Sequence, residues 1–476
     1  GRGGGGGQDP LTIGRRAGAC PAGTAADLRR LVDQIDPDRD RRSDAVERAW
    51  QAVVDRYPVM RTVFVWNNIS KPHQVVAQDV TIPFRHEDWR ALPEREQQEK
   101  FDAFLNSDLG NGFRLTSAPL MRLALFQVAD DRHRFVWSHH HLLMDGWSIF
   151  VVLKDLFLFY EAFSRGEQLQ LEPVHSYRDY IAWLQQRDLS EVEAFSRPTP
   201  LGAEPDPATS RDEQEYAEER VELSTEATAV LQTVARQNHL TLNTLVQGAW
   251  SLLLAHNSGE RDVMFGATAS GRPTELQAIE QMVGLFINVC PMRVQLPPEE
   301  RLRTWLKNLQ AAQFEVREFE YTPLVQVQRW SEVPRGMQLF KSILSFENYP
   351  VDDSIREHSR NLEISDVRTS SRTNYPATLI VAPRSALSAR IVYNCKLFDA
   401  AAIQRLLAQL TTVLESFATH LDEPISKLDE LLTENEKSRK VSEQRQHEQR
   451  NLKRFKSIKP KTVSLPQGEL IKTEPL

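Results

Sequence analysis

Apolar residues follow two rhythms along this chain, and the rhythms alternate from about residue 44 to residue 435. Val46, Trp50, Val53 and Val54 recur at helical spacing from Asp44 onward, and Arg61 to Trp66 then reads as a strand. Met121 to Val128 and Arg134 to Trp137 read as two more strands. Ile149, Val152, Leu153, Leu156, Tyr160 and Phe163 mark one face of a helix starting near Trp147, with Asp145 or Ser148 as its cap. A breaker-rich connector follows, carrying Pro198, Pro200, Gly202, Pro205 and Pro207. Beyond it, helices are predicted over 225–237, 243–256 and 301–317, and strands over 262–268, 285–294, 342–348, 376–382 and 389–395. A last helix lines up Ile403, Leu406, Leu407, Leu410, Val413, Leu414 and Phe417 on one stripe. Mixed elements on both sides of the connector predict an α/β (α+β) protein of two lobes, each with its own sheet. The first lobe is expected at 45–196, the connector at 197–215 and the second lobe at 216–435.

The two ends break the pattern. Residues 1–44 join a glycine run to an Arg/Asp cluster, and Ala25 to Ile35 alone hints at a short helix. This segment is expected to be disordered or disrupted. Residues 436–476 are rich in Lys, Arg, Gln and Glu and almost free of aromatics, and read as a charged linker or tail.

Composition narrows the class. A hydrophobic content of 41% and a charged content of 26% fit an ordinary globular protein, and a net charge of -7 gives no general push toward nucleic acid or membrane. No apolar run is long enough to span a bilayer. Cys20, Cys290 and Cys395 are far apart and odd in number; they form neither a metal spacing nor a disulfide framework, so a reducing, cytoplasmic setting is expected.

The chemistry concentrates in Ser138-His139-His140-His141-Leu142-Leu143-Met144-Asp145-Gly146-Trp147-Ser148, where a strand gives way to a helix. If the strand stays regular, Trp137, His139 and His141 share a face and His140 points away, so three imidazoles cannot converge on one metal and no metal site is expected. Acid–base work suits the cluster better. A neutral imidazole, with a reference pKa of about 6.5, can take the proton an amine sheds as it adds to a carbonyl carbon. His141 is the candidate; a satisfied core histidine is the plainer alternative. Asp145 reads as a helix cap or an ion-pair partner, and if buried it needs a cation, for which Arg61 is placed at the start of a strand. Gly146 permits a close approach or a turn that a side chain would forbid.

Taken together these residues resemble the condensation domains of nonribosomal peptide synthetases. His140, His141, Asp145 and Gly146 meet that family's His-His-x-x-x-Asp-Gly hallmark, and Trp147 and Ser148 fit its flank. The hallmark is shared with other acyltransferases of the chloramphenicol acetyltransferase-like superfamily, and further segments in family order make the likeness specific. They are Arg56 to Phe64, Tyr177 to Trp183, Asp262 to Gly266 with Ser270 to Pro273, Val283 to Val289, Tyr321 to Leu324, and Ser345 to Pro350.

The resemblance implies a V-shaped pseudo-dimer of acetyltransferase-like lobes around a central tunnel. Phosphopantetheine arms of a donor and an acceptor carrier protein enter from opposite ends. It implies peptide-bond formation at His141, with His140 and Gly146 beside the reaction and Asp145, Arg61 and Trp147 supporting the site. Asn288, Ser345 and Asn348 are tunnel or substrate candidates. No cofactor is expected on the chain itself; carrier proteins and other synthetase modules are the expected partners, without nucleic acid or membrane. A heterocyclising relative would carry an aspartate in place of His140. The family's opening segment and first strand are not found in residues 1–44, a short deletion is read at Phe195 to Pro198, and Phe455 to Leu476 looks like the lead-in to a further module. Two other functions fit the same residues: a recruitment module without turnover, and a coenzyme A-dependent acyltransferase.

Overall fold

The computed structural model describes residues 30–33, 40–69, 72–187, 216–334, 337–348, 363–365 and 375–457. The expected connector (197–215), the deletion at Phe195 to Pro198, most of residues 1–44, and 458–476 lie outside the described residues.

The first lobe runs β1 (Arg30–Asp33), α1 (Asp40–Arg56), β2 (Thr62–Val65), β3 (His73–Val76), β4 (Phe84–Asp88), α2 (Glu94–Asn111), β5 (Met121–Gln127), β6 (His133–His139), α3 (Gly146–Ser164) and α4 (Tyr177–Gln185). β5 and β6 pair antiparallel, from Met121 opposite His139 to Gln127 opposite His133. Side chains on successive residues serve opposite faces. Met121, Leu123, Leu125, Phe135 and Trp137 share a core with Trp50 and Val53 of α1 and Val152 and Leu156 of α3. Ala124, Phe126 and Val136 pack instead with Trp89, Phe101 and Leu105. Helices on both faces explain why β5 reads as an almost unbroken apolar run. α1 and α3 are also braced by polar contacts: Arg56 Nε and Tyr57 Oη both donate to Asp155, at 2.7 and 2.6 Å.

The second lobe runs β7 (Tyr216–Glu222), α5 (Thr225–Gln237), α6 (Leu242–Ser258), β8 (Asp262–Ala269), β9 (Asn288–Gln295), α7 (Leu302–Glu318), α8 (Leu324–Trp330), β10 (Ser342–Phe346), β11 (Glu363–Ser365), β12 (Ala377–Pro383), β13 (Leu387–Asn394), α9 (Ala400–His420) and α10 (Ile425–Ser457). Its sheet has the order β7-β13-β12-β10-β8-β9. Leu231, Trp250, Phe265, Leu379, Ile391, Leu410 and Phe417 belong to one core. Ser224, Thr241 and Asp399 cap α5, α6 and α9, each accepting from a backbone N–H three residues on. These caps are why the predicted helix ends hold so closely here.

Four expectations change. The helix hinted at Ala25 to Ile35 is replaced over Arg30–Asp33 by β1, which pairs with β6, so a first strand is present. The lobes do not keep wholly separate sheets: β11 crosses over and pairs with β1, giving the first sheet the order β11-β1-β6-β5-β4. The strand predicted from residue 285 starts at Asn288, because the preceding residues are bound to the other lobe, as shown below. The expected tail begins as helix: α10 continues through residues 436–457. Among the described residues no helix is long and apolar enough to cross a membrane.

Candidate active site

β6 delivers the histidines. His139 ends the strand, buried, its ring 4.8 Å from that of Trp137. His140 is also buried and still donates its backbone N–H to Leu120 O at 2.9 Å. The chain then turns, Leu143 N donating to His140 O at 3.0 Å, and His141 is exposed. The predicted shared face thus holds for Trp137 and His139; the turn carries His141 away from the sheet.

Three consecutive imidazoles therefore occupy three environments. Burial, aided by neighbouring His141 and His140, pushes His139 down to about 3. Burial and His141 push His140 down to about 4. His140 Nδ1 accepts from Leu142 N at 3.1 Å, so its proton sits on Nε2. His141 shows the opposite tautomer: Nδ1 lies 3.0 Å from Met144 O, and a carbonyl can only accept. Nδ1 therefore carries a proton, and in the neutral ring the lone pair belongs to Nε2.

Asp145 fixes this loop from both sides of the seam between the lobes. It caps α3, accepting from Ser148 N at 2.9 Å and Ser148 Oγ at 2.7 Å. From the second lobe, Phe286 N donates to it at 3.1 Å, and Arg272 forms an ion pair with it at 3.1 Å, both side chains about 5% exposed or less. Asp145 N donates to Gly284 O at 3.0 Å, and Ser148 Oγ lies 2.8 Å from the same oxygen. Arg272 is held in turn by Ile279 O and Met282 O, at 2.6 and 3.0 Å, and lies 4.0 Å over the Phe286 ring. These contacts occupy residues 284–286 and delay the start of β9.

The cation expected here was Arg61, and that pairing is corrected. Arg61 donates to carbonyls of Val54, Asp55, Ala77 and Gln78, closing the end of α1 onto the segment that follows β3. Arg272 supplies the charge instead. Its segment, Ser270 to Pro273, stands out in the sequence, but its partner is 127 residues away, beyond any local signal.

The remaining candidates scatter. Gly146 opens α3. Trp147 donates Nε1 to Glu280 O at 2.9 Å and lies beside Arg272, within the seam. Asn288 donates Nδ2 to Glu320 O and Thr322 O, at 2.9 and 2.5 Å, and so ties down a turn. Ser345 is buried and accepts from Thr268 Oγ1 at 3.1 Å; Asn348 is exposed beyond the end of β10. Three of the conspicuous sequence segments meet at the seam: Tyr177 Oη donates to Leu285 O at 2.6 Å, Tyr180 packs on Phe286 at 4.7 Å, and Trp183 meets Tyr321 edge-on at 5.6 Å. Among the described residues no group of three or more His, Cys, Asp or Glu is placed to hold a metal ion.

Comparison with known proteins agrees with this geometry. Residues 35–439 match the family model described as the condensation domain. The chain is 42% identical over 388 residues to one component of the linear gramicidin synthase of Brevibacillus parabrevis, covering 80% of this chain and 5% of that protein. It is 45% identical over 386 residues to another component of the same synthase, covering 78% and 8%. The chain thus spans a small fraction of these relatives. In structure it resembles a holo four-domain nonribosomal peptide synthetase bound to AMP and glycine, at TM-score 0.69 and 18% identity over 85% of this chain and 32% of that one. It also resembles the first condensation domain of the calcium-dependent antibiotic synthetase with a substrate analogue, at 0.67 and 17% over 86% and 94%. These two likenesses speak to the fold.

Proposed function

This chain belongs to the condensation-domain family, and we propose that it forms an amide bond between an acyl thioester and an amine during nonribosomal peptide synthesis. The acceptor nitrogen attacks the thioester carbonyl, the C–N bond forms, the C–S bond breaks, and the proton leaving nitrogen ends on the departing thiolate. His141 is the catalytic residue. Its Nε2 takes the proton from nitrogen and returns it to sulfur. The observation that carries this reading is the 3.0 Å contact between Nδ1 of an exposed ring and Met144 O, which in the neutral imidazole leaves Nε2 as the acceptor. His140 and His139 are buried and held neutral, and shape the loop without meeting the amine. Asp145, Arg272 and Trp147 act at one remove, by fixing that loop to the second lobe.

Both reacting groups arrive on the phosphopantetheine arms of carrier proteins, as the synthetase relatives suggest, and the tunnel between the lobes is their route. The test is dipeptide formation with one carrier loaded with an acyl group and the other with an aminoacyl group. The native chain turns over, and His141→Ala loses roughly 10²- to 10⁴-fold in rate while melting at the same temperature. Full activity in His141→Ala overturns the assignment. Turnover with a coenzyme A thioester and no carrier would make the protein a coenzyme A-dependent acyltransferase, and carrier binding without turnover a recruitment module.

A further inference from the structure

Resting on that reading, we propose that Asp108 is a positioning residue for amide formation: its carboxylate anchors Ser138 and Arg122 on the α2 side of the first sheet, and so sets the turn that presents His141. α2 buries Phe101, Leu105 and Asp108 at helical spacing along one stripe. The first two pack with Phe126 and Val136. The third is an acid, and it is 8% exposed. A buried carboxylate needs partners that replace its lost hydration. Asp108 has two. Ser138 Oγ of β6 donates to its Oδ2 at 2.5 Å, and Arg122 Nε of β5 donates to its Oδ1 at 2.7 Å. Ser138 and Arg122 stand opposite each other in the β5–β6 register. Arg122 also reaches Gly112 O at 2.6 Å and Asp108 O at 2.9 Å, and so closes the C-terminal end of α2.

Two paths lead from this carboxylate to the site. The first runs along β6. Val136 and Ser138 face α2, whereas Trp137 faces α1 and α3, and Ser138 lies two residues before His140. The second runs through Arg122, whose guanidinium lies 4.1 Å over the Phe113 ring; Phe113 in turn meets the His140 ring edge-on at 6.3 Å. Both paths end on His140, whose Nδ1 accepts from Leu142 N and whose backbone oxygen accepts from Leu143 N. Those two bonds make the turn that carries His141 outward. Asp145 and Arg272 hold the downstream end of this loop, and Asp108 holds its upstream end.

The experiment compares Asp108→Ala, Asp108→Asn, Ser138→Ala and Phe101→Leu in the intact chain, below the melting temperature of each. It measures kcat and carrier KM in the dipeptide assay, and amide hydrogen exchange at Leu142 and Leu143, whose N–H groups close the turn. Asp108→Ala should lower kcat roughly 10- to 100-fold with carrier KM unchanged, and should speed exchange at both amides. Asp108→Asn should keep most of the rate, because its amide oxygen can still accept from Arg122 while its N–H donates to Ser138 Oγ. Ser138→Ala cuts one path of the two and should fall between. Phe101→Leu loosens α2 without touching the carboxylate; it should melt earlier yet keep native kcat and native exchange. Native kcat or native exchange in Asp108→Ala overturns the proposal. So does a Phe101→Leu variant that loses as much rate, since α2 would then matter only as packing. If Asp108→Ala does not fold, native kcat or native exchange in Ser138→Ala overturns it. A native chain that fails to turn over sinks the amide-forming reading, while the exchange data still decide whether Asp108 sets the turn.

Discussion

The end of β6 and the end of β13 are built alike, one in each lobe. In both, a strand runs into a buried polar residue, a short loop and a helix capped by aspartate. His140 corresponds to Asn394, His141 to Cys395 and Asp145 to Asp399. Leu142 N donates to His140 Nδ1 at 3.1 Å, and Lys396 N donates to Asn394 Oδ1 at 2.9 Å. Leu143 N and Leu397 N reach the backbone oxygens of His140 and Asn394, both at 3.0 Å. Asp145 accepts from Ser148 N at 2.9 Å, and Asp399 from Ala402 N at 2.6 Å. His141 and Cys395 are both exposed. The fold therefore supplies the loop twice. What distinguishes the first copy is an imidazole at the exposed position and a capping acid that the opposite lobe has taken up: Asp145 is 3% exposed and paired with Arg272, whereas Asp399 lies in solvent.

The sharpest way to break this comparison is to remove each acid. Asp145→Ala leaves Arg272 buried without its partner and should cost about 3–5 kcal/mol in chemical denaturation, with loss of turnover. Asp399→Ala removes a cap at the surface and should cost about 1 kcal/mol. Equal costs would mean that the ion pair across the seam adds nothing.

Acid should separate the two copies next. His139 and His140 are held near 3 and 4 when folded, while the unfolded rings titrate near about 6.5. As pH falls below that value the unfolded chain binds protons that the folded one refuses. Their contribution is thus complete above about 6.5 and lost as pH falls toward the folded values, at roughly 1.4 kcal/mol per pH unit for each ring. Tyr393 and Asn394, at the same places in the second lobe, gain no proton over this range. Denaturation at pH 7, 6 and 5 should show the decline. The slope should be roughly halved in His140→Asn, and an unchanged slope would remove His140 from the account.

The smallest effect is that of His140→Asn at neutral pH. Asn394 already does this task with its Oδ1, so the amide should accept from Leu142 N in the same way. Stability should stay within about 1 kcal/mol, the net worth of one hydrogen bond. A larger loss would mean that the imidazole packs against Phe113, 6.3 Å away, in a way an amide cannot replace.

Local rules make much of this readable in advance. The sequence pattern predicts α5 over the residues it occupies because a cap and an apolar stripe are both local. The hallmark loop is readable for the same reason, down to Asp145 as a cap. Long-range partners are not. Arg61 is nearer in sequence to Asp145 than Arg272 and sits beside a helix end, so proximity favours the wrong cation. The seam also accounts for the late start of β9, since the oxygen of Gly284 and the N–H of Phe286 serve α3 and its cap before any strand can use that stretch. β1 is hidden in a segment whose composition speaks for disorder, and its pairing becomes evident beside β6.

The cap of α3 also bears on how far the two lobes can move apart. A helix whose first turn is completed by groups from both halves comes partly undone when those halves separate there. Prying the lobes apart at Gly284 and Phe286 would strip partners from Asp145 and loosen the loop bearing His141 in the same stroke. That edge is a weld, and any breathing between the lobes has to pivot about it.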